Sequence, residues 1–392
     1  MRSQEQDRDR LTQALGLAEG AFGVTEPNPR VGCVIGGEDG TVFGTGATQR
    51  VGGPHAEVMA LRQAMSAGHQ LQGATAWVTL EPCAHHGRTP PCCEALVAAG
   101  LGRVVVALED PFAQVAGTGI AHLRAAGIRV DFAEPALARL AWEINVGFFS
   151  RVQRGRPWLR VKAASSLDGR TGLDNGISQW ITGDAARVDG HAWRRRAGAV
   201  VTGIGTVLAD DPRLDVRLVP SVLQPLRVIL DSSLRTPPAA RVLRPPGQVL
   251  IVTAVAPGQR SMALENLGTE VLHLPGPGGR VDLHGLMNEL GRRGVNEAHV
   301  EAGSGLTTSA LQSGLADELL LYLAPRLLGG SRGVVAWAPL QRLQDGLDLE
   351  ILDVAPVGAD LRLRLRPAGA AAGSFGASNR TSGAFTSTTT PI

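Results

Sequence analysis

A histidine and two cysteines in the first part of the chain have the side chains best suited to bind a metal ion. His55 lies in Pro54-His55-Ala56-Glu57, and Cys83 and Cys92 follow later, with eight residues between them. A catalytic zinc ion takes three such ligands from protein and keeps a fourth position for water or substrate. We therefore interpret His55, Cys83 and Cys92 as a zinc site that activates water.

Glu57 is the residue that would make this metal site catalytic. Val58, Leu61 and Met65 have the spacing of one helical face, which predicts a helix that begins near His55 and places Glu57 in its first turn. A carboxylate beside the metal can take a proton from water and deliver it to a leaving amine. A His-x-Glu element followed by a Pro-Cys element is typical of zinc deaminases, although two residues, not eight, usually separate their cysteines.

A purely structural zinc site is the alternative interpretation of the same cysteines. Such a closed site needs a fourth protein ligand, which His85, His86 or Cys93 could supply. Cys33 lies in an apolar run, which is typical of a buried cysteine that binds nothing.

Length and composition limit the remaining possibilities. At 392 residues the chain exceeds what one hydrophobic core usually supports, so we expect two domains. A net charge of +2 and an aromatic content of 4% favour neither a basic surface nor a stacking platform for nucleic acid. The chain has four cysteines, two of which are needed as thiolates, and this favours a reducing compartment. The sequence shows neither an export signal nor a long apolar stretch, so we expect a cytoplasmic protein that binds no membrane.

The order of elements in the first 150 residues predicts a layered α/β domain. The predicted strands are residues 31–35, 41–45, 76–80, 103–108 and 123–130, and the predicted helices are residues 9–20, 92–99, 136–149 and one that begins at residue 55. Alternating strands and helices would hold zinc between helix starts. The proline-stiffened loop before the first strand could hold the Asn28 amide against a planar base edge, although an asparagine that only initiates a turn is the alternative.

Three motifs in this part of the chain are similar to those of a known family. They are Asn28-Pro29-x-Val31-Gly32, His55-Ala56-Glu57 and Pro82-Cys83-x-His85-x-Gly87-Arg88-Thr89-Pro90-Pro91-Cys92. Together with Asp110-Pro111 and Gln114-Val115-Ala116-Gly117-x-Gly119, they resemble the deaminase domain of the bifunctional riboflavin-biosynthesis deaminase/reductases. The resemblance implies a three-layer, cytidine-deaminase-like fold for residues 1–150.

The same resemblance implies a substrate and a role for each site residue. The substrate would be 2,5-diamino-6-(5-phosphoribosylamino)pyrimidin-4-one, whose 2-amino group is replaced by oxygen. The implied roles are zinc binding by His55, Cys83 and Cys92, proton transfer by Glu57, base binding by Asn28 and His85, and phosphate binding by Arg88.

A basic segment with Gly and Pro, residues 151–157, is the predicted linker to a second domain, residues 158–367. In this half, glycine turns at Gly203-Ile204-Gly205 and Gly303-Ser304-Gly305 each follow a predicted strand, and a helix is predicted from Thr307. Backbone amides at such turns can approach a phosphate, so we expect the two turns to face each other across a cofactor cleft. Ser232, after the strand at residues 226–230, could bind a ribose or its phosphate.

The second half resembles the reductase domain of the same family, which is similar in fold to dihydrofolate reductase. The motifs that carry this resemblance are Lys162, Ser166-Leu167-Asp168-Gly169-Arg170, Ser178-Gln179-Trp180-Ile181-Thr182, Thr206-Val207-Leu208-Ala209-Asp210-Asp211-Pro212, Glu301-Ala302-Gly303 and Ala324-Pro325-x-Leu327-x-Gly329. It implies NADPH-dependent reduction of the ribosyl group to a ribityl chain, in a homodimer that pairs through this half.

The implied contacts in the reductase half fall into three groups. NADPH would contact Ala164, Trp180, Thr206, Asp210, Ser232, Gly303, Ser304, Gly305, Leu306 and Thr307. Substrate would contact Ser178, Arg194, Leu214, Arg217 and Glu301, and Lys162 would orient it for hydride transfer. Family members often carry threonine in place of Asp215, and without the resemblance the basic run at residues 194–196 would be interpreted as a solvated helix face.

Two other classes of function remain as alternatives on sequence alone. One is a zinc deaminase that acts on a nucleic-acid base, with the C-terminal half as a binding module. The other is a non-catalytic protein in which the zinc and NADPH sites persist only as structure. The last stretch, residues 368–392, is rich in Ala, Gly, Ser and Thr, so we expect it to be disordered.

Overall fold

The computed structural model describes residues 2–84, 90–111, 116–244 and 246–369, which are built around two β-sheets. Of the tail that we predicted to be disordered, only Ala368 and Gly369 lie within the described residues. None of the helices in this part of the chain combines the length and the apolar character needed to cross a bilayer.

The first sheet has five strands in the order β2-β1-β3-β4-β5. Its strands are β1 (Gly32–Gly36), β2 (Val42–Ala47), β3 (Thr75–Val78), β4 (Arg103–Val106) and β5 (Arg129–Phe132), and the helices of this half are α1 (Arg2–Gly20), α2 (Ala56–Ser66), α3 (Cys92–Ala98), α4 (Thr118–Ala125) and α5 (Pro135–Arg154). β1 runs antiparallel to both of its neighbours, whereas β3, β4 and β5 are parallel.

Side chains of the central strands point alternately to the two faces of the sheet, and helices cover both faces, which gives three layers. Ala76 and Val78 of β3 pack with the apolar side chains of α2, α3 and α4, whereas Trp77 between them packs with α1 and the start of α5. Successive side chains of a strand point to opposite faces, so a strand that is apolar throughout requires a cover on both sides. The three-layer arrangement predicted for this half is therefore observed.

The second sheet has nine strands in the order β10-β9-β8-β7-β11-β6-β12-β14-β13. Its strands are β6 (Trp158–Ser166), β7 (Ala199–Gly203), β8 (Leu226–Leu230), β9 (Val249–Thr253), β10 (Glu270–His273), β11 (Glu297–Glu301), β12 (Glu318–Ala324), β13 (Leu349–Val357) and β14 (Asp360–Pro367), and its helices are α6 (Asp184–Arg196), α7 (Ile204–Asp210), α8 (Gln259–Glu265), α9 (Leu283–Arg292) and α10 (Ser304–Gln312). Short 3-10 turns lie at Arg241–Leu243, Pro277–Gly279 and Leu343–Asp345. Strands β6 to β12 are parallel, and β14 and β13 are added antiparallel at one edge.

One face of the second sheet carries charge where a parallel sheet is normally apolar. Val161 and Val300 pack into the apolar core beneath α9 and α10. The side chains of β11 that point to the opposite face are those of Glu297, His299 and Glu301. Glu297 and His299 are fully buried. Glu297 is paired with Arg160 of β6, at a distance of 2.9 Å between Oε2 and Nη1. The sheet face beneath α6 is therefore stabilised by ion pairs as well as by apolar packing.

The two halves are joined by buried and partly buried ion pairs. Arg30, which precedes β1, pairs with Glu297 of the second half. Glu143 of α5 pairs with Arg364 and Arg366 of β14. Helix α5 also packs directly against the strand that follows Asn296, because a side chain at Gly147 would lie 2.6 Å from the Asn296 carbonyl oxygen. The halves therefore share one charged interface.

Several predicted boundaries differ from the structure. The strand predicted at residues 123–130 is wrong, because its first residues end α4 and β5 begins only at Arg129. Residues 151–154 of the predicted linker belong to α5, which continues to Arg154. Helix α10 begins at Ser304, three residues before the predicted start, since Gly303 is its N-cap. The glycine turns after β7 and β11 lie side by side, not opposite each other, because these strands are neighbours.

His299 is expected to make the stability of the protein depend on pH. Burial lowers the pKa of His299 to about 3 from the usual 6.5. The unfolded chain takes up this proton near pH 6.5 and the folded chain does not, so stability falls as pH drops below 6.5, by up to about 1.4 kcal/mol per pH unit. In His299→Leu the melting temperature should fall less steeply than in the wild type between pH 6.5 and pH 5. Parallel curves for the two proteins would contradict this expectation.

Candidate active sites

Three segments of the first half meet at one end of its sheet. Because β1 runs antiparallel to both neighbours, Gly32 at its start lies opposite Ala47 at the end of β2, and Cys33 lies opposite Val78 at the end of β3. The loop before β1 carries Asn28, the segment after β2 leads to His55, and the segment after β3 leads to Cys83. The topology therefore brings these three sequence-predicted residues to the same edge.

Helix α2 fixes the position of His55 and Glu57. His55 is the N-cap residue of α2, with extended backbone angles of φ −74° and ψ 167°. The helix lies directly on β2, because a side chain at Gly46 would come within 2.1 Å of the Ala56 carbonyl oxygen. Only glycine permits such a close approach. Glu57, in the first turn, is buried.

His55, Cys83 and Cys92 form the metal-ligand group predicted from the sequence. Their ligand atoms all lie within 4.8 Å of one another. The Nδ1 atom of His55 lies 3.2 Å from the Sγ atom of Cys92 and 3.6 Å from that of Cys83. The backbone N–H of Cys92, at the start of α3, donates to the Cys83 sulfur at 3.4 Å. One imidazole nitrogen and two sulfurs thus converge on a single point, which suits zinc.

The acid–base properties of the thiols and of Glu57 also suit a cation at this point. Hydrogen bonding with Cys92 lowers the pKa of the Cys83 thiol to about 4. The same hydrogen bond, together with burial, raises the pKa of the Cys92 thiol. Burial raises the pKa of Glu57 to about 7, and the charge of Cys83 adds to this effect. A bound cation would favour both thiols as thiolates, so the donor set fits zinc.

Of the three alternative fourth ligands of a closed structural site, the structure describes only Cys93, which is not part of the metal-ligand group. Within the described residues, the potential metal-binding group contains three side chains and no fourth. Cys93, one of the alternative fourth ligands, directs its thiol to the Cys83 carbonyl oxygen at 3.0 Å. His85, His86 and Arg88 lie outside the described residues.

Glu81 is a buried site residue that sequence reasoning missed. Its carboxylate accepts hydrogen bonds at 2.9–3.1 Å from the backbone N–H groups of Asp110, Gly117, Gly119 and Ile120. These amides lie at and before the start of α4, where helix N–H groups have no partner in the helix. Glu81 therefore ties α4 to the segment that delivers Cys83, and a carboxylate two residues before a predicted ligand was its signal in the sequence.

The reductase half places its predicted cofactor residues along one edge of the second sheet. Because β6, β7, β8 and β11 are parallel, their carboxyl ends lie side by side. The predicted cofactor residues near these ends are Ala164 in β6, Thr206 and Asp210 in α7, Ser232 after β8, and Gly303, Ser304, Gly305, Leu306 and Thr307 at the start of α10. Ligands of open α/β sheets bind at this edge, where free amides at a helix start can hold a phosphate.

A hydrogen bond joins two residues predicted to lie in the cofactor cleft. The Ser178 hydroxyl donates to Asp210 Oδ1 at 3.4 Å, which joins a predicted substrate residue to a predicted cofactor residue. Trp180 is 60% exposed, and the guanidinium of Arg187 lies 4.6 Å from the centre of its ring. In contrast, the side chains of Thr307 and Leu214 are buried, so contacts from these two positions would come from the backbone.

Arg194 does not lie on a solvated helix face, because its side chain is only 13% exposed and is paired with Glu301. Its Nε and Nη2 atoms donate to the two carboxylate oxygens of Glu301 at 2.5 and 3.0 Å, and its Nη1 atom donates to the Asp215 carbonyl oxygen at 2.9 Å. Asp215, which stands where threonine is common, pairs with Arg213 and with Arg217 at 2.6 and 2.7 Å. Asp215 therefore binds Arg217 through its side chain and Arg194 through its backbone carbonyl.

Lys162 lies beside Glu301 on the neighbouring strand. The two residues are register partners in β6 and β11. Burial lowers the pKa of Lys162, and the charge of Glu301 opposes that effect. The Lys162 Nζ atom also lies 5.6 Å from the centre of the Tyr322 ring. The predicted residues Lys162, Glu301 and Arg194 therefore form one cluster.

Comparisons with known proteins agree with both halves of this description. Residues 4–108 match the zinc-binding region of cytidine and deoxycytidylate deaminases, and residues 157–363 match the RibD C-terminal domain. The chain is 43% identical to the riboflavin biosynthesis protein RibD of Escherichia coli, covering 92% of this chain and 99% of that protein. It is 38% identical to RibD of Aquifex aeolicus, covering 91% and 97%.

Solved structures give the same result. Acinetobacter baumannii RibD is 44% identical and superposes with a TM-score of 0.83, covering 93% of this chain and 99% of that one. The diaminohydroxyphosphoribosylaminopyrimidine deaminase/5-amino-6-(5-phosphoribosylamino)uracil reductase of Thermotoga maritima is 30% identical, with the same TM-score and coverage. These matches confirm the predicted fold class and the pairing of a zinc deaminase with an NADPH-dependent reductase. The chain therefore belongs to the RibD family of riboflavin biosynthesis proteins, which combine a deaminase and a reductase in one chain.

Proposed function

We propose that this chain deaminates a diaminohydroxyphosphoribosylaminopyrimidine and then reduces the product, 5-amino-6-(5-phosphoribosylamino)uracil, with NADPH. The Thermotoga maritima relative is named for both reactions. The observation that carries the proposal is the convergence of His55, Cys83 and Cys92 beside buried Glu57 on the chain that also carries the reductase edge. We also propose domains at residues 1–150 and 158–367. Helix α5 of the first domain continues to Arg154, so only residues 155–157 form the linker.

In the deaminase half, His55, Cys83 and Cys92 would hold zinc, which when bound acts as a Lewis acid that makes water more acidic. Glu57 would accept a proton from the attacking water and deliver it to the leaving amino nitrogen, so that ammonia departs as oxygen takes its place on the ring. Burial raises the pKa of Glu57, and the charge of bound zinc would oppose that effect. Asn28, His85 and Arg88 would bind the base and the phosphate.

In the reductase half, the carboxyl edge of the sheet would bind NADPH and the cluster around Glu301 would bind substrate. Arg217 is the better of the two arginines for the phosphate, because its side chain is 41% exposed and that of Arg194 is 13% exposed. Arg194 would orient Glu301, with which it is paired through two hydrogen bonds. Lys162, beside Glu301, would orient the opened sugar for hydride transfer.

The alternative of a nucleic-acid deaminase is not favoured. It required a binding module in the second half, and residues 157–363 match a reductase domain. A cytoplasmic location is part of the proposal, because the two cysteines that would bind zinc are needed as thiolates in a reducing compartment.

We also propose that the protein is a homodimer that pairs through the reductase half. β13 is the edge strand of the nine-stranded sheet. Four large apolar side chains of β13 and β14 are exposed, namely Ile351, Leu352, Val354 and Leu361. An exposed apolar edge of this kind is usually covered by a partner.

Glu57→Gln is expected to abolish ammonia release selectively. Glutamine keeps the size of the side chain but cannot carry the proton, so the rate should fall about 10²- to 10⁴-fold. Ammonia release is measured with zinc-loaded protein, and metal content is measured on the same sample. The matched control is NADPH oxidation with the deaminated product, which should be unchanged. Undiminished ammonia release with zinc bound would remove Glu57 from the mechanism.

Glu301→Gln is expected to lower reductase activity and to leave deaminase activity unchanged. Loss of the charge paired with Arg194 is expected to lower the rate of NADPH oxidation about 10- to 100-fold, as is typical when a charged hydrogen-bond partner is removed. Ammonia release should stay at the wild-type rate. Normal reductase turnover in this variant would show that the cluster around Glu301 does not bind substrate.

The dimer proposal is tested by the double variant Ile351→Lys/Val354→Lys, which places two charges on the exposed strand. We expect a dimer for the wild type and a monomer for the variant in sedimentation velocity at micromolar concentration. Leu140→Lys, at a 52% exposed position in the deaminase half, is the matched control and should remain a dimer. A monomeric wild type would refute the proposal.

A further inference from the structure

The loop that carries Asn28 is held by residues of the other half. In this loop, residues 25–30, the backbone N–H of Asn28 donates to the Thr25 carbonyl oxygen at 2.9 Å. The next contact comes from outside, since the Asn296 Nδ2 atom donates to the Pro27 carbonyl oxygen at 3.2 Å. Asn296 immediately precedes β11 of the reductase half and is 2% exposed. A buried reductase residue therefore binds the peptide unit that leads into Asn28.

A second hydrogen bond fixes the same carbonyl group. The Arg151 Nη2 atom donates to the Pro27 carbonyl oxygen at 2.8 Å, and its Nε atom donates to Asn296 Oδ1 at 2.7 Å. Asn296 and Arg151 thus bind each other and the loop in one closed arrangement. With all three groups paired, the Pro27 carbonyl has little freedom to move.

The far end of the loop is fixed by Glu297, the neighbour of Asn296. The Arg30 Nη1 atom donates to Glu297 Oε1 at 2.5 Å, and its Nη2 atom donates to the Arg196 carbonyl oxygen at 2.8 Å. Both Arg30 and Glu297 are buried, so neither charge can exchange its partner for water. The reductase half therefore holds the loop on both sides of Asn28, at Pro27 and at Arg30.

The position of this loop matters because Asn28 would bind the base through hydrogen bonds from its planar side-chain amide. Recognition of this kind requires the donor and the acceptor to be held in a fixed orientation, and a displacement of about 1 Å can cost a large factor in rate. We propose that Asn296 is a positioning residue of the deamination reaction, supplied by the reductase half, which orients Asn28 for the base. The inference rests on the proposed deaminase function and on the role proposed there for Asn28.

A double-mutant cycle between Asn296 and Asn28 tests the proposal in the full-length, zinc-loaded chain. In the wild-type background, Asn296→Ala should raise the KM for ammonia release about three- to tenfold, with a smaller effect on kcat. In the Asn28→Ala background the same change should add less than about twofold, because the residue on which Asn296 acts is already absent. An equal factor in both backgrounds, or no change in KM, would overturn the positioning role.

Asn296→Asp separates the lost contact from general damage to the interface. Aspartate retains an acceptor for Arg151 but has no donor for the Pro27 carbonyl oxygen. It should raise the KM in the same direction, and it serves as the test if the alanine variant does not fold. An unchanged KM in Asn296→Asp would also overturn the proposal.

Two controls keep the result specific. Glu143→Gln weakens the ion pairs of the carboxylate with Arg364 and Arg366 but keeps the backbone carbonyl that binds Arg196, so it should leave the KM for ammonia release unchanged. Reductase turnover and zinc content should be normal in every Asn296 variant. If the wild type releases no ammonia, the proposed function itself fails. If the wild type is active and the Asn296 variants match it, only the positioning role fails.

Discussion

Pairing of buried charge at Glu297 is the constraint on which much of this structure depends. The carboxylate is fully buried and is paired with Arg30 from the loop before β1, Arg160 from β6 and Arg196 from the end of α6. A charge left unpaired in such a place costs several kcal/mol, so each of these elements must keep its position for the others to be stable. The guanidinium groups also hold the pKa of Glu297 below its usual range despite burial.

The two sites are assembled by the same geometric rule on sheets of different topology. In the first sheet the start of the antiparallel strand β1 lies beside the ends of β2 and β3, so a loop and two segments with potential metal ligands meet. In the second sheet the strands are parallel, so their carboxyl ends form one row of turns and helix starts. In both cases short segments just beyond strand ends supply the chemistry, and the strands supply rigidity.

Local patterns in the sequence predicted the parts of the structure that depend on local forces. The strand at residues 226–230, the start of α3 at Cys92 and the grouping of His55, Cys83 and Cys92 all follow from periodicity or side-chain chemistry. Partners distant in sequence could not be predicted in this way. The basic run at residues 194–196 would have been assigned to solvent, because the carboxylates that pair with it lie about a hundred positions later on a strand. Charged residues within otherwise apolar strands, such as Arg160 and Glu318, were the available signal.

The pairing of Arg30 with Glu297 has a consequence for the order in which the chain is made. The two residues are 267 positions apart, so Arg30 leaves the ribosome long before its partner exists. At translation rates of about 5 to 20 residues per second, that interval lasts roughly 13 to 53 s. During that time the second sheet also lacks its central strand. This strand is β11, which lies between β6 and β7 in the sheet but is synthesised after both. The nascent N-terminal half therefore reaches its final form only after most of the second half has been synthesised.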